Sequence, residues 1–211
     1  MSQFIQNQNW RYSTKRFDAT RKLSADDLDM LKEAIRLSTS SYGLQPYKVL
    51  IIEDPELREK LKPAAPGNHS QITDASQLFV FANVTNLGDA EIDSYISNIV
   101  ETRGVTLESI IGYGTFMKST FSKWTLEKRD NWTTRQAYLA LGNLINAAAE
   151  HKIDVSPMEG FDAEAFDEIL GLKAKGLHAC VIAAIGYRHE EDGTQHLKKV
   201  RKSQEELFIH L

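Results

Sequence analysis

Leu177-His178-Ala179-Cys180-Val181-Ile182-Ala183-Ala184-Ile185-Gly186-Tyr187 is the longest strand-like run of the chain and is nearly all apolar. A strand that is apolar on both faces has to be covered on both. This run therefore predicts a sheet held between layers of helix. Leu78-Phe79-Val80-Phe81-Ala82 reads as a second buried strand and Lys48-Val49-Leu50-Ile51-Ile52 as a third, with Ile153 to Val155 a short one before Pro157. Cys180, inside the long run, reads as a buried and inert thiol. Helical segments separate these strands without the regular rhythm of a doubly wound parallel sheet. The fold class read from this pattern is α+β, a three-layer domain.

The helices follow from caps and periodicity. Ser24 is a good N-cap, Asp26 and Asp27 suit the positive start of a helix, and Leu28, Leu31 and Ile35 give it one apolar face. It runs into the small polar loop Ser38 to Gly43. Asp54-Pro55 starts a helix to about Leu61, with proline at a tolerated position. Pro63 to Ser70 reads as a loop. Ile92, Ile96, Ile99 and Val100 mark another helix. Residues 104–125, interrupted by Gly104, Gly112 and Gly114 and rich in aromatics, fit either a mobile cover over a site or irregular packing. A long helix is predicted over 131–151, where Ala140, Gly142 and Ala147 to Ala149 permit close helix approach. Phe161-Asp162 caps a short helix to Leu170.

Composition narrows the class. The chain has 211 residues, 42% hydrophobic and 26% charged, with no repeat, low-complexity segment or flexible linker. Residues 1–211 read as one domain. A net charge of −4 and a pI near 5.9 argue against a general nucleic-acid binder. A single cysteine excludes an intrachain disulfide and fits a reducing compartment. The polar N-terminus lacks a signal-peptide core, and no stretch reaches about 18 uninterrupted apolar residues. The expectation is a cytoplasmic protein without a membrane span.

Against this acidic background stands Arg11-Tyr12-Ser13-Thr14-Lys15-Arg16-Phe17, an anion cradle of three cations among hydroxyls and aromatics. Lys198-Lys199-Val200-Arg201-Lys202 is by itself a solvated patch. Paired with Arg11 and Lys15 it would clamp a phosphate, for which the arginine fork is suited. Gly67-Asn68-His69-Ser70-Gln71 offers amides that can read a heterocycle's edge, or forms an ordinary turn. Pro157-Met158-Glu159-Gly160-Phe161 offers a ring-packing proline and a glycine for close backbone approach, or simply leads into a helix. Dinucleotide, P-loop and hydrolase-elbow motifs are absent, and the histidines show no metal spacing. Asp26-Asp27 and Glu190-Glu191-Asp192 read as caps or solvated faces.

Taken in order, these segments together with Ser40-Ser41-Tyr42-Gly43-Leu44-Gln45-Pro46, Asp74-Ala75-Ser76 and Lys199-Val200-Arg201 resemble the nitroreductase family of FMN flavoenzymes. The nearer likeness is to its oxygen-insensitive nitroreductase and dihydropteridine reductase branch. The resemblance spans nearly the whole chain and is weakest over about residues 86–130.

The resemblance implies a three-layer sandwich around a mixed, mainly antiparallel sheet, in a homodimer that exchanges its C-terminal segments and holds FMN at the interface. The apolar tail Leu207 to Leu211 would then bury against the partner, and the helix over 131–151 would lie in the dimer core. It further implies that Arg11, Ser13, Lys199 and Arg201 hold the FMN phosphate, with Tyr12 in the same segment. Lys15 would stand at the pyrimidine end of the flavin, Asn68 and Gln71 at the ring edge, and Ser40, Ser41 and Gln45 along the ribityl chain or the partner side. Pro157 would pack on one ring face, and after Met158 the Glu159 and Gly160 backbone would place an N–H near N5. No side chain is assigned as a catalytic acid or base, and no metal is expected.

The reaction implied is ping-pong transfer of hydride from NADH or NADPH to a small-molecule acceptor such as a nitroaromatic or quinone. Gln71 replaces a lysine of some relatives. Gly43, with the bulky Tyr42 beside it, replaces a frequent asparagine. The expectation is an altered substrate face and a shifted acceptor preference. Two other readings stay open: a flavoenzyme of the same fold with another reaction, such as dehalogenation or flavin fragmentation, and a non-enzymatic flavin-binding protein.

Overall fold

The computed structural model describes residues 1–211. Its elements in chain order are α1 (Gln3–Trp10), α2 (Ala25–Arg36), β1 (Tyr47–Ile52), α3 (Pro55–Leu61), α4 (His69–Asp74), β2 (Gln77–Val84), α5 (Asp89–Arg103), α6 (Leu107–Ser122), α7 (Leu126–Glu150), β3 (Asp154–Met158), α8 (Ala163–Leu170), β4 (Leu177–Gly186) and α9 (Gln204–Leu207). The strands form one sheet in the order β1-β2-β4-β3, and all its ladders are antiparallel. The parallel component is an isolated bridge between Ser13 and Val155 outside the ladders.

The two long apolar strands occupy the centre, as their composition requires. Along β2, Leu78, Val80 and Ala82 join Leu61, Ile72, Phe166 and Leu172 on one face. Phe79 and Phe81 join Leu31, Ile35, Ala137, Leu141 and Leu144 on the other. The strand period of two thus feeds both cores, and each fully buried large side chain contributes ~1.5–3 kcal/mol. Helices α3, α4 and α8 cover one face, α2 and α7 the other, which makes the three layers. Cys180 is the residue skipped where the β2–β4 register shifts, opposite Phe81 and Ala82. Its half-buried thiol donates to the Phe81 carbonyl at 3.2 Å, and burial raises its pKa to about 11. At neutral pH it is a protonated, unreactive thiol.

The caps read from the sequence are present. The side chains of Ser24, Asp54 and Asp162 each accept a main-chain N–H from the first turn of the helix they precede. Four expectations need correction. Residues 107–122 are neither irregular nor a loose cover but the regular helix α6. Gly104 ends α5, and Gly114 lets α6 close on Ile96. Leu87, Ile92, Ile96, Ile99, Met117 and Phe121 form a third core between these helices. The long helix starts at Leu126, five residues earlier than expected, because Thr125 caps it by accepting the Lys128 N–H at 3.2 Å. Lys62–Ala64 forms a 3₁₀ turn and α4 begins at His69, inside the expected loop. Finally, β3 includes Pro157, opposite Ala183. The strand lies at the sheet edge, where the missing proline N–H costs no ladder bond. Helix α1 had no strong signal; its only fully buried residue is the polar Asn7. No helix is long and apolar enough to cross a membrane.

Candidate active site

The cradle segment lies beside edge strand β3 through the Ser13–Val155 bridge, and beside the chain after β4 through the Phe17–Arg188 bridge. The chain pairs through single bridges at Ser13 and Phe17 and bends between them at Lys15 and Arg16. The even-numbered residues point to carboxylates. The Tyr12 hydroxyl donates to Asp192 at 2.9 Å, Thr14 donates to Asp154 at 3.3 Å and Arg16 pairs with Glu191 at 2.6 Å. Arg11 and Ser13 are half-buried beside β3, and the Lys15 side chain is exposed. The Ser13 hydroxyl lies 3.3 Å from that of Ser156. Arg11, Tyr12, Ser13, Ile145, Ile153, Val155 and Pro157 line a small cavity of about 40 Å³.

Tertiary structure brings the basic C-terminal run to this edge. Lys199 donates to the Arg11 carbonyl. Arg11, Lys15, Lys199 and Arg201 take part in no ion pair. Partial burial, then the neighbouring Arg201, lowers the Arg11 pKa. Burial, then Arg11 and Arg201, lowers that of Lys199. Converging cations that repel one another and lack a carboxylate are a site prepared for an anion. This donor set fits a terminal phosphate monoester.

A second group adjoins it through β3. Asn68 Nδ2 donates to the Gly160 carbonyl at 3.0 Å, and the buried Gln71 donates to Asn68 Oδ1 at 3.4 Å. Gln71 therefore sits behind Asn68 and orients it. The Tyr138 hydroxyl on α7 donates to the Glu159 carboxylate at 2.6 Å. Burial, followed by the hydrogen bond and charge of Glu159, raises the tyrosine pKa. Met158 points into the core, where it is buried, so only its backbone is near the turn.

Ser40, Ser41 and Gln45 are not joined to either group within the chain. The Ser41 N–H donates to Gln136 at 2.8 Å, Ser40 Oγ accepts the Gln45 N–H at 3.0 Å, and Gln45 Nε2 reaches the Arg36 carbonyl at 2.9 Å. Tyr42, with φ +58°, turns its ring among aromatics, 5.6 Å from Phe121 and 6.2 Å from Trp132 between centroids. The ring packs against this cluster while remaining partly exposed. Gly43 has φ +77°, and a Cβ there would collide with the Tyr95 hydroxyl. Tyr95 thus takes the room a side chain at position 43 would need.

The structure adds Asp192, which the sequence reading left among caps and solvated carboxylates. It is 3% exposed and accepts from Tyr12, from the main-chain N–H groups of Lys15 at 2.8 Å and Arg16 at 3.1 Å, and from Thr194. Burial alone would raise its pKa. The hydrogen bonds from Thr194, Lys15, Arg16 and Tyr12 overcome this and hold it at about 2. The Thr at Asp+2 was the available clue, since Asp192 caps the turn Gly193–His196. Arg188 was also missed. It pairs with Asp154 at 2.7 Å and stacks on the rings of Trp10 and Tyr12, at 4.2 and 4.6 Å. Elsewhere, Glu164, Asp167 and His178 bring donors within 4.8 Å of one another. Each already has a protein partner: Lys173 holds Glu164, and Asp167 meets His178 Nδ1 at 2.7 Å.

An α+β sandwich whose sheet edge carries a phosphate-type cradle and an amide-lined turn defines the class, and comparison with known proteins names it. The nitroreductase family model matches residues 9–187; the chain belongs to the nitroreductase family. It is 34% identical over 209 residues to the major NAD(P)H-flavin oxidoreductase of Aliivibrio fischeri, covering 95% of each chain. It is 31% identical over 198 residues to the oxygen-insensitive NAD(P)H nitroreductase of Salmonella typhimurium, covering 90% of this chain and 91% of the other. Its fold matches that of an Exiguobacterium sibiricum protein solved in complex with FMN, with a TM-score of 0.87 at 18% identity, over 100% of this chain and 98% of the other.

Proposed function

We propose that residues 1–211 form one FMN-binding domain, and that the protein is an FMN-dependent oxidoreductase. It takes hydride from NADH or NADPH and passes it, in a ping-pong cycle, to nitroaromatic, quinone or related acceptors. The observation that carries this reading is the convergence of Arg11, Lys199 and the neighbouring Arg201 without a carboxylate. Family membership makes the phosphate of FMN the anion of choice.

Bound FMN supplies the hydride chemistry at N5. The chain supplies binding, orientation and charge. Arg11, Ser13, Lys199 and Arg201 hold the phosphate. Lys15 offers a fixed cation to the pyrimidine end, where negative charge grows on reduction. Asn68, backed by Gln71, reads the ring edge, and its bond to Gly160 braces the turn whose Glu159–Gly160 backbone faces N5. Pro157 packs on one ring face.

A homodimer completes this reading. Leu207, Phe208, Ile209 and Leu211 on the tail, with Phe4 on α1 and Leu139 on α7, are exposed apolar side chains. Such a surface favours association with a second copy. Ser40, Ser41 and Gln45, separate from the cradle within one chain, would then reach the partner's flavin.

The test is direct. The purified protein should be yellow, elute as a dimer, bleach anaerobically with NADH or NADPH, and recover its colour on adding nitroaromatic or quinone. A colourless protein that FMN cannot reconstitute overturns the cofactor assignment. A yellow protein inert to both nucleotides overturns the reaction.

A further inference from the structure

We infer that Asp192 is the positioning residue for Lys15, and through it for the ligand-facing edge of residues 11–15; this rests on the FMN reading above. Each even-numbered residue of the cradle segment is tied to a carboxylate, but the three ties differ in kind. Asp154 is neutralised by Arg188 at 2.7 Å. Glu191 is neutralised by Arg16 in an exposed pair. Asp192 has no cation partner.

It is solvated instead by N–H and O–H groups. Oδ2 accepts the Lys15 and Arg16 N–H groups and the Tyr12 hydroxyl at 2.8–3.1 Å. Oδ1 accepts the Thr194 N–H at 3.0 Å and the Thr194 hydroxyl. A nearly buried carboxylate tolerates its charge only while these donors stay in place. The backbone at Lys15 is therefore fixed by a group 177 positions along the chain. The bend held there leaves the Lys15 side chain exposed and outside every ion pair.

The sign of the effect separates positioning from simple electrostatics. Asp192 is an anion beside an anion-binding edge. If it acted by charge alone, removing it would tighten FMN and raise the flavin midpoint potential. If it positions Lys15 and the segment around it, removing it weakens FMN because residues 11–15 lose their anchor, and lowers the potential because the cation is no longer held at the pyrimidine end.

The experiment compares apoprotein reconstituted with FMN for the wild type, Asp192→Ala, Asp192→Asn, Lys15→Met and the pair Asp192→Asn with Lys15→Met. FMN affinity is read by fluorescence quenching and midpoint potential by spectroelectrochemistry. Asp192→Ala should bind FMN at least about tenfold more weakly, the effect of a lost charge-assisted hydrogen-bond set. Its potential should move to more negative values. Asp192→Asn keeps the shape, places an NH₂ where one oxygen accepted, and should change in the same direction by less. It carries the test if the alanine variant does not fold. In the Lys15→Met background, Asp192→Asn should lower the potential no further, which a merely structural role would not produce. Glu191→Gln should match the wild type. Unchanged or tighter FMN binding with an unchanged or raised potential overturns the role of Asp192 and leaves the proposed function standing. Wild-type protein that takes up no FMN overturns both.

Discussion

The carboxylate of Asp192 accepts the main-chain N–H of Lys15 at 2.8 Å, joining the segment after the last strand to the first basic cluster. The same carboxylate oxygen accepts the Tyr12 hydroxyl and the Arg16 N–H, so one side chain holds the cradle at residues 12, 15 and 16.

Asp192 should make itself felt in acid. Its folded pKa of about 2 lies below the ordinary value of 3.8. It therefore contributes stability that is fully present above the ordinary value and is lost as pH falls towards about 2. Unfolding free energy measured by urea titration should fall between pH 4 and pH 2 more steeply for the wild type than for Asp192→Asn. Equal slopes would mean that the hydrogen bonds do not favour the ionised form.

Arg201 belongs to the trio that repels itself in the absence of an anion. Arg201→Ala should cost about 1.5–3 kcal/mol of FMN binding, the range for a hydrogen bond to a charged group. Thermal stability of the apoprotein should hold or rise, because a repulsive neighbour of Arg11 and Lys199 has gone. FMN affinity equal to wild type would exclude Arg201 from the phosphate site.

Lys15 is exposed and has no carboxylate partner. Lys15→Met should leave much of the FMN affinity intact and shift the midpoint potential to more negative values, because the negative charge of the reduced ring loses its cation. Potentiometry of the reconstituted variant checks this; a potential at or above wild type would remove Lys15 from the pyrimidine end.

Gly43 and Tyr95 should behave as a coupled pair. At φ +77° with the Tyr95 hydroxyl in the Cβ position, Gly43→Ala adds backbone strain of ~1–2 kcal/mol and a collision. Tyr95→Phe should recover the part due to the hydroxyl and leave the backbone part. A denaturation cycle over the four proteins would show additivity if the two residues do not touch.

Much of the fold was legible because it rests on local rules. Leu78 to Ala82 and Leu177 to Gly186 declare doubly covered strands by composition, and Ser24, Asp54 and Asp162 declare helix starts by side-chain chemistry. Residues 104–125 were not legible. Gly114 is explained by a neighbour across the fold, Ile96, and Gly104 by the end of α5, while nothing in the structure explains Gly112. Helix α1 was silent for a related reason: it is mainly polar, and it buries Asn7 rather than an apolar stripe.

The site divides along the same line. The order of basic, amide and Pro-Met-Glu-Gly-Phe segments along the chain carried the family, since each segment is contiguous. Which residues act together was decided by the tertiary structure alone. The sheet edge brings Arg11 to Lys199, α4 brings Asn68 to Gly160, and the return of the chain after β4 turns Asp192 from an apparent surface acid into the anchor of Lys15. Local propensity is a property of neighbours in sequence. The ionic and hydrogen-bonding role of a polar side chain is set by what faces it across the fold.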